Sequence, residues 1–152
     1  MILFRFINGE RNLKFGNPNN SMQILSEEVE IQATPTDVLD FISVSSNIEK
    51  LLPQDKISDF TSNENSCSFK VQGGIIISLI QSGRESNKLF LKSGEKSPFP
   101  FNLTIHAQST TSGGCKGHIE FNGEVNAFLK MMVEKPLSAL FNYMSKKMEE
   151  QF

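Results

Sequence analysis

Polar and apolar residues alternate along much of the chain between residues 22 and 124, and this pattern predicts β-strands. The alternation is clearest from Phe99 to Gln108 and from His118 to Asn122. It places apolar side chains on one face and polar side chains on the other, as in an antiparallel sheet with one wet face. Shorter runs of the same kind, separated by turn-forming residues, are found at 24–32, 57–62, 67–71, 75–81 and 88–92.

Two short helices are predicted directly after the first strand. Thr34 is suited to cap the first helix, Pro35 to occupy its first position, and Asp37 to favour its positive end. Ser46 and Glu49 have the spacing of a capping box and predict the start of a second helix, which ends before Pro53.

The last part of the chain changes from an alternating to a helical pattern. Apolar residues recur at helical spacing from Asn126 onward, at Leu129, Val133, Leu137, Leu140, Met144 and Met148. This predicts one long amphipathic helix. Pro136 lies within it and predicts a kink or a local break near Met132.

The first 21 residues differ from the rest of the chain. Turn formers dominate residues 8–12 and 16–21, and the apolar residues between them have no sustained period. We expect residues 1–21 to form a poorly ordered extension and residues 22–152 to form a single domain. Met22 is a plausible alternative start, so it stays open whether the extension belongs to the native product.

The order of the predicted elements gives an α+β fold in which helices pack on one face of an antiparallel sheet. Four segments carry a resemblance to a known superfamily: residues 34–41, 48–53, 66–71 and 129–137. The chain resembles small stand-alone bacterial members of the SRPBCC superfamily, also called START-like, birch-pollen-allergen-like or polyketide cyclase-like. The resemblance implies a helix-grip fold, with a curved sheet of about six or seven strands wrapped around the long C-terminal helix and a ligand cavity between them.

Composition excludes several classes of function. The chain of 152 residues has 15 Lys and Arg against 17 Asp and Glu, a balance that disfavours nucleic-acid binding. No apolar run approaches the roughly 20 residues of a membrane span, and residues 1–7 are too short for a signal-peptide core, so we expect a cytoplasmic protein. Cys67 and Cys115 lack metal-ligand spacing and fit reduced core thiols. No cofactor or metal is predicted.

The apolar faces of the predicted elements define the candidate ligand-binding site. If the sheet grips the last helix, these faces meet, and Met131, Met132, Met144 and Met148 add an adaptable lining. The alternative is that the same side chains only fill the core. The candidate residues are Phe41, Leu52, Phe69, Val71, Ile77, Leu79, Phe99, Phe101, Leu103, Ile105, Phe121, Leu129, Val133, Leu137, Leu140 and Met144.

Groups that could perform catalysis are few in the sequence. The inward face has no evident acid, base or partnered nucleophile, so we predict no catalytic residues and lean against an enzyme. Gln81, Ser78 and Tyr143 are candidates for orienting a ligand by hydrogen bonds, or are simply satisfied locally. His106 and His118 lie on the polar face of a hairpin, in a register that lets them face each other.

We therefore expect a protein that binds a small hydrophobic or lipid-like ligand between the sheet and the C-terminal helix. Two alternatives remain open, because the superfamily hosts many functions. An enzyme of the polyketide cyclase or dehydratase type would need an ionisable group inside the cavity. An interaction module similar to the chaperone ATPase activators would need an exposed apolar patch. The sequence does not decide the oligomeric state.

Overall fold

The structure is a computed structural model, and it describes residues 20–152. Apart from its last two residues, the predicted extension at residues 1–21 lies outside the described residues. The elements, in chain order, are β1 (Ser21–Leu25), β2 (Val29–Ile31), α1 (Pro35–Ser43), a 3₁₀ helix (Ser45–Leu51), β3 (Ile57–Ser62), β4 (Ser66–Val71), β5 (Ile75–Glu85), β6 (Lys88–Ser93), β7 (Phe101–Ser109), β8 (Cys115–Glu124) and α2 (Ala127–Gln151).

The eight strands form one curved antiparallel sheet in the order β1-β8-β7-β6-β5-β4-β3, with β2 also paired to β8. From β3 to β8 each strand pairs with the next along the chain, and β1 closes the order by pairing with β8. α2 lies against β1, β2, β8 and the 3₁₀ helix, whereas α1 lies against β6 and β7. This is the predicted helix-grip arrangement.

The prediction of one strand over residues 24–32 is wrong, because Ser26 interrupts it. Ser26 donates its backbone N–H to the Ile119 carbonyl at 2.9 Å, and its hydroxyl accepts from the Ile119 N–H at 2.7 Å. The next residue, Glu27, donates its N–H to the side-chain oxygen of Asn142 in α2 at 2.8 Å. These bonds satisfy the backbone at the interruption, so β1 and β2 follow the same edge of β8 as two separate strands.

The two helices after β2 begin differently from each other. The Thr34 hydroxyl accepts from the Asp37 N–H at 3.1 Å, so the predicted cap of α1 is confirmed. The predicted capping box at Ser46 is wrong, since the second helix is a 3₁₀ helix that already begins at Ser45 and has no side-chain cap. Val44 is both the last, capping residue of α1 and the residue before the 3₁₀ helix. No residue between the two helices is therefore left to form a separate capping turn.

The limits of several strands also differ from the pattern; β8, for example, runs from Cys115 to Glu124 instead of from His118 to Asn122. β5 extends to Glu85, four residues beyond the predicted end, and the pairing with β6 shifts by a bulge between Gln81 and Gly83. β7 begins at Phe101 instead of Phe99, because Pro100 has no N–H to donate to a ladder.

α2 is one continuous helix through Pro136, so the predicted local break is wrong. The Asn126 side chain caps its start by accepting from the Leu129 N–H at 2.9 Å. Val133 and Leu137, which flank the proline, are both buried. Their packing holds the helix where the proline removes one backbone bond. No helix in residues 20–152 is both long and apolar enough to span a membrane.

Replacing Leu137 tests how strongly α2 is held against the sheet. Leu137 is fully buried, and we expect Leu137→Ala to lower the free energy of unfolding by about 2–5 kcal/mol through lost contacts and a residual cavity. Chemical denaturation of Leu137→Ala and of the exposed control Lys135→Ala on the same helix gives the comparison. A change as small in Leu137→Ala as in the control would contradict this packing.

Candidate functional site

The candidate ligand-binding residues all lie on the concave side of the sheet or on the elements that cover it. All of them except Phe41 and Leu129, which are half-buried, are at most 5% exposed. Phe41, expected at one end of the site, contacts the C-terminal Phe152, with 5.6 Å between ring centroids. The structure thus brings the predicted set together as one cluster.

The strand register explains how the centre of this cluster forms. Leu103 of β7 lies opposite Phe121 of β8, so both side chains point to the same face. The Phe121 ring is 5.0 Å from that of Phe101 and 5.2 Å from that of Phe141 in α2. A Cβ atom at Gly123 would lie 2.9 Å from the Phe121 ring, so the space over this glycine is taken by the ring.

Several inward residues were not in the predicted set, although the pattern contained a signal for some of them. Phe141 is buried in the cluster and lies four residues after Leu137, the spacing of a single helix face. Leu89 and Leu91 of β6 are buried as well, in a segment whose alternation predicts a strand. Ile119 of β8 likewise follows the alternation of its strand.

The inner side chains contact one another and leave little of their surface exposed. Phe121 and Leu137 are fully buried, and Leu103 is 1% exposed. A void large enough for a ligand would leave the side chains around it accessible. At these positions the interior is filled, so a ligand has to displace side chains or part of a helix to enter.

The expected contribution of methionines to the lining is wrong for two of the four. Met131 is 82% exposed and Met132 is 58% exposed, whereas Met144 and Met148 are buried. At about 100° per residue, Met131 lies about 160° around the helix from Val133, and Met132 lies about 100° from it. Hydrophobic residues in this part of the helix therefore occupy both faces.

The polar candidates for ligand contacts lie at the margin of the inner face or outside it. Gln81 points inward, and its amide donates to the backbone carbonyl of Ser43. Nearby, Arg84 pairs with Asp40 at 2.7 Å, so β5 is joined to α1. The Ser97 hydroxyl accepts from the Ser78 backbone N–H at 2.9 Å and donates to the Ser78 carbonyl at 3.3 Å. By the alternation of β5, the Ser78 side chain lies on the face opposite Ile77 and Leu79. Tyr143 is exposed on α2, with the Lys147 ammonium 5.8 Å from its ring centroid.

Within residues 20–152, the buried polar side chains are all serines: Ser26, Ser45, Ser78 and Ser145. Both cysteines are buried and free, and burial raises the pKa of Cys67 to about 12, so its thiol stays protonated. In the same part of the chain, no three His, Cys, Asp or Glu side chains are grouped so that they could hold a metal ion.

A polar cluster occupies the outer face of β7 and β8. His106 lies directly opposite His118, as the predicted hairpin register allows, and their rings stack at 4.3 Å with 4° between the planes. The Nε2 atom of His106 is 2.9 Å from a carboxylate oxygen of Glu120. The other oxygen accepts from Asn122 at 3.0 Å and from Gln23 at 3.3 Å.

These contacts shift the titration of two members of the cluster. The hydrogen bond with His106 lowers the pKa of Glu120 to about 2, against the opposing effect of partial burial. Burial and the neighbouring His106 lower the pKa of His118, although Glu120 and Glu28 act in the opposite direction. The cluster lies on the outer face, whereas the ligand-binding candidates are on the inner one.

Replacing Glu120 tests this network through the pH dependence of stability. Some carboxylates have a lower pKa in the folded than in the unfolded state. Such a carboxylate stabilises the fold at pH values above its pKa in the unfolded state. That stabilisation is lost as the pH falls from about 4.5 to about 2. We expect Glu120→Gln to lose about 1.5–3 kcal/mol near neutral pH, as is typical of hydrogen bonds to charged groups, and to show a flatter acid limb.

Denaturant unfolding of Glu120→Gln and of the exposed control Glu85→Gln across this pH range measures both effects. If the two variants follow the same pH curve, the carboxylate of Glu120 is not held as the structure places it.

No protein-family model and no curated protein matches the sequence. Solved structures do match. A START superfamily protein from Mycobacterium smegmatis superposes with a TM-score of 0.60 at 11% identity, over 86% of this chain and 99% of that one. Norcoclaurine synthase from Thalictrum flavum gives 0.60 at 16% identity, over 83% and 92% of the two chains.

The di-domain ARO/CYC protein BexL from the BE-7585A biosynthetic pathway gives a TM-score of 0.64 at 14% identity, over 88% of this chain. This chain spans 50% of the BexL chain. At these identities the matches concern the fold. The chain therefore has the START-like helix-grip fold, as the resemblance in its sequence predicted.

Proposed function

We propose that this protein binds a small hydrophobic or lipid-like molecule between the inner face of the sheet and α2. The observation that carries the proposal is the apolar surface shared by the sheet and α2. All buried polar side chains within residues 20–152 are serines, which can donate or accept a hydrogen bond but carry no charge. Such a surface favours a ligand with little charge to desolvate.

Entry of a ligand requires part of the filled interior to give way, and the first half of α2 is the part held by the fewest buried side chains. Of the buried residues of α2, only Val133 precedes Pro136, whereas six follow it: Leu137, Leu140, Phe141, Met144, Ser145 and Met148. Pro136 also has no N–H to bond the Met132 carbonyl. We infer that the helix opens at residues 127–136 while the second half stays packed.

Catalysis of the polyketide cyclase or dehydratase type is the less favoured alternative. Norcoclaurine synthase shows that an enzyme can have this fold. General acid or base chemistry needs an ionisable group within hydrogen-bond reach of the substrate. Arg84 and Asp40 form an ion pair, and both side chains are engaged in joining β5 to α1.

The binding proposal is tested first by native mass spectrometry of freshly purified full-length protein, followed by organic extraction of any co-purifying molecule. We expect an adduct of low molecular mass. Titration with long-chain fatty acids, sterols and aromatic polyketides follows. A ligand at 100 times its Kd should stabilise the protein by about 2.7 kcal/mol, seen as a higher melting temperature. A bare mass with no thermal shift from any member of the panel would contradict the proposal.

A matched pair of variants on β7 then assigns the site. Leu103→Asn places an amide on the inner face, whereas Thr104→Asn places it on the outer face of the same strand. We expect Leu103→Asn to weaken binding of the identified ligand at least tenfold, an energy of about 1.4 kcal/mol, and Thr104→Asn to leave it unchanged. Because Leu103→Asn can also destabilise the fold, Leu129→Asn at a half-buried position serves as a second inner-face variant. Full binding by folded forms of both would exclude this site.

Pro136→Ala tests the route of entry. An alanine restores an N–H that can bond the Met132 carbonyl, and in a helix interior alanine is favoured over proline by roughly 3 kcal/mol. We expect the variant to melt at a higher temperature and to take up the identified ligand more slowly in stopped-flow measurements. Unchanged uptake by a stabilised variant would argue against opening of α2 at residues 127–136.

A further inference from the structure

Two polar residues of β5 lie on the inner face of the sheet, next to the apolar cluster. Gln81 pairs directly with Leu91 of β6, and Arg84 pairs directly with Leu89. Both leucines are buried on the inner face. Residues that pair directly across an antiparallel ladder point to the same side of the sheet. The register therefore places Gln81 and Arg84 on the inner side.

The bulge in β5 is the reason that Arg84 has this position. From Gln81 to Arg84 the chain of β5 advances three residues, whereas β6 advances two. In a regular strand Gly83 would follow Gln81 on the inner face, and Arg84 would point outward. The extra residue reverses this order, because Gly83 pairs with Phe90, which lies between the two inward leucines. Bulges often re-aim a side chain in this way beside a functional site.

The guanidinium of Arg84 lies against α1 and is partly open to solvent. Its Nη1 atom is 2.7 Å from Oδ1 of Asp40 and 3.4 Å from the Ser43 hydroxyl, and its Nη2 atom is 3.5 Å from the Thr36 carbonyl. The last two distances are long for hydrogen bonds. The side chains of Arg84 and Asp40 are 35% and 62% exposed. An ion pair this exposed contributes little to stability, so an anion can replace Asp40 at small cost.

Gln81 and Arg84 each stand at the β5 end of a row of inward side chains that crosses the sheet to β8. The row of Gln81 continues through Leu91, Leu103 and Phe121. The row of Arg84 continues through Leu89, Ile105 and Ile119. Neighbouring strands are about 4.8 Å apart, so each row is about 14 Å long. The inner face thus has a polar end on β5 and an apolar length that suits an extended alkyl chain.

We propose that Arg84 binds the anionic head group of an amphiphile whose alkyl chain lies along these rows. A guanidinium can form two parallel N–H···O bonds with a carboxylate or a phosphate. The head group replaces Asp40 at the exposed end of the row, so its charge is paired and stays near water. This inference rests on the proposed function, which supplies the apolar site, and it adds the chemical class of the ligand.

Three ligands with the same alkyl chain test the head group: dodecanoic acid, dodecyl phosphate and dodecanol. Their binding to the full-length protein is measured by isothermal titration calorimetry, below the critical micelle concentration of each. We expect at least one of the two anions to bind ten times more tightly than the alcohol. The tighter of the two anions identifies the head group as a carboxylate or a phosphate. Equal binding of all three would overturn the proposal.

The two halves of the ion pair separate a binding role from a structural one. Arg84→Gln removes the cation, and we expect it to lower the preference for the anion over dodecanol at least tenfold. Asp40→Asn removes the competing carboxylate and should make the anion bind more tightly. An ion pair that only joins β5 to α1 is broken by both substitutions, and it predicts changes of the same sign. Lys92→Gln changes the net charge as Arg84→Gln does, but on the outer face of β6, and should leave the preference unchanged.

Failure of this proposal is distinguishable from failure of the proposed function. Melting curves first establish that each variant is folded. A folded Arg84→Gln protein that keeps the full preference for the anion would overturn the role of Arg84 and leave the apolar site in place. Binding of a sterol or a polyketide, without binding of any dodecyl ligand, would have the same meaning. If no ligand of either set binds, the apolar site fails together with the head-group site.

Discussion

The packing of α2 into the concave face of the sheet is the constraint on which the rest of the structure depends. Phe121 is at its centre, within 5.2 Å of the Phe141 ring and above Gly123, where a side chain would collide with it. Neither surface is stable alone, because each would expose a continuous set of large apolar side chains to water. The strand register and the helix phase have to agree for these two surfaces to meet.

The same packing determines how a ligand can bind. Buried side chains pack the second half of α2 against the rest of the core. Phe152, which follows the helix, also contacts the ring of Phe41. The first half has Val133 as its buried anchor and a proline at its end. In the proposed function a ligand competes with the protein's own core, and we infer that the least costly expansion is at the start of α2. Binding to a core that opens in this way would be linked directly to stability.

The alternation along β7 and β8 places apolar side chains on the inner face and titratable side chains on the outer face. The inner positions carry Leu103 and Phe121, whereas the outer positions carry His106, His118 and Glu120. The titratable groups are therefore held in a hydrogen-bonded cluster on the outer surface, away from the apolar interior. This separation favours a binding role for the interior. Because the hydrogen bond with His106 lowers the pKa of Glu120, we expect the outer cluster to contribute to stability in a way that depends on pH.

Local sequence determined most of the elements and the faces of the strands, because alternation and capping depend on neighbouring residues. It predicted the cap at Thr34 and the long helix from Asn126, and it allowed the register in which His106 faces His118. It did not determine the break at Ser26, whose neighbour Glu27 bonds Asn142 more than 100 residues away. Nor did it determine which methionines of α2 are buried or whether the interior is filled. These features depend on how distant elements pack, and residue period alone does not encode that packing.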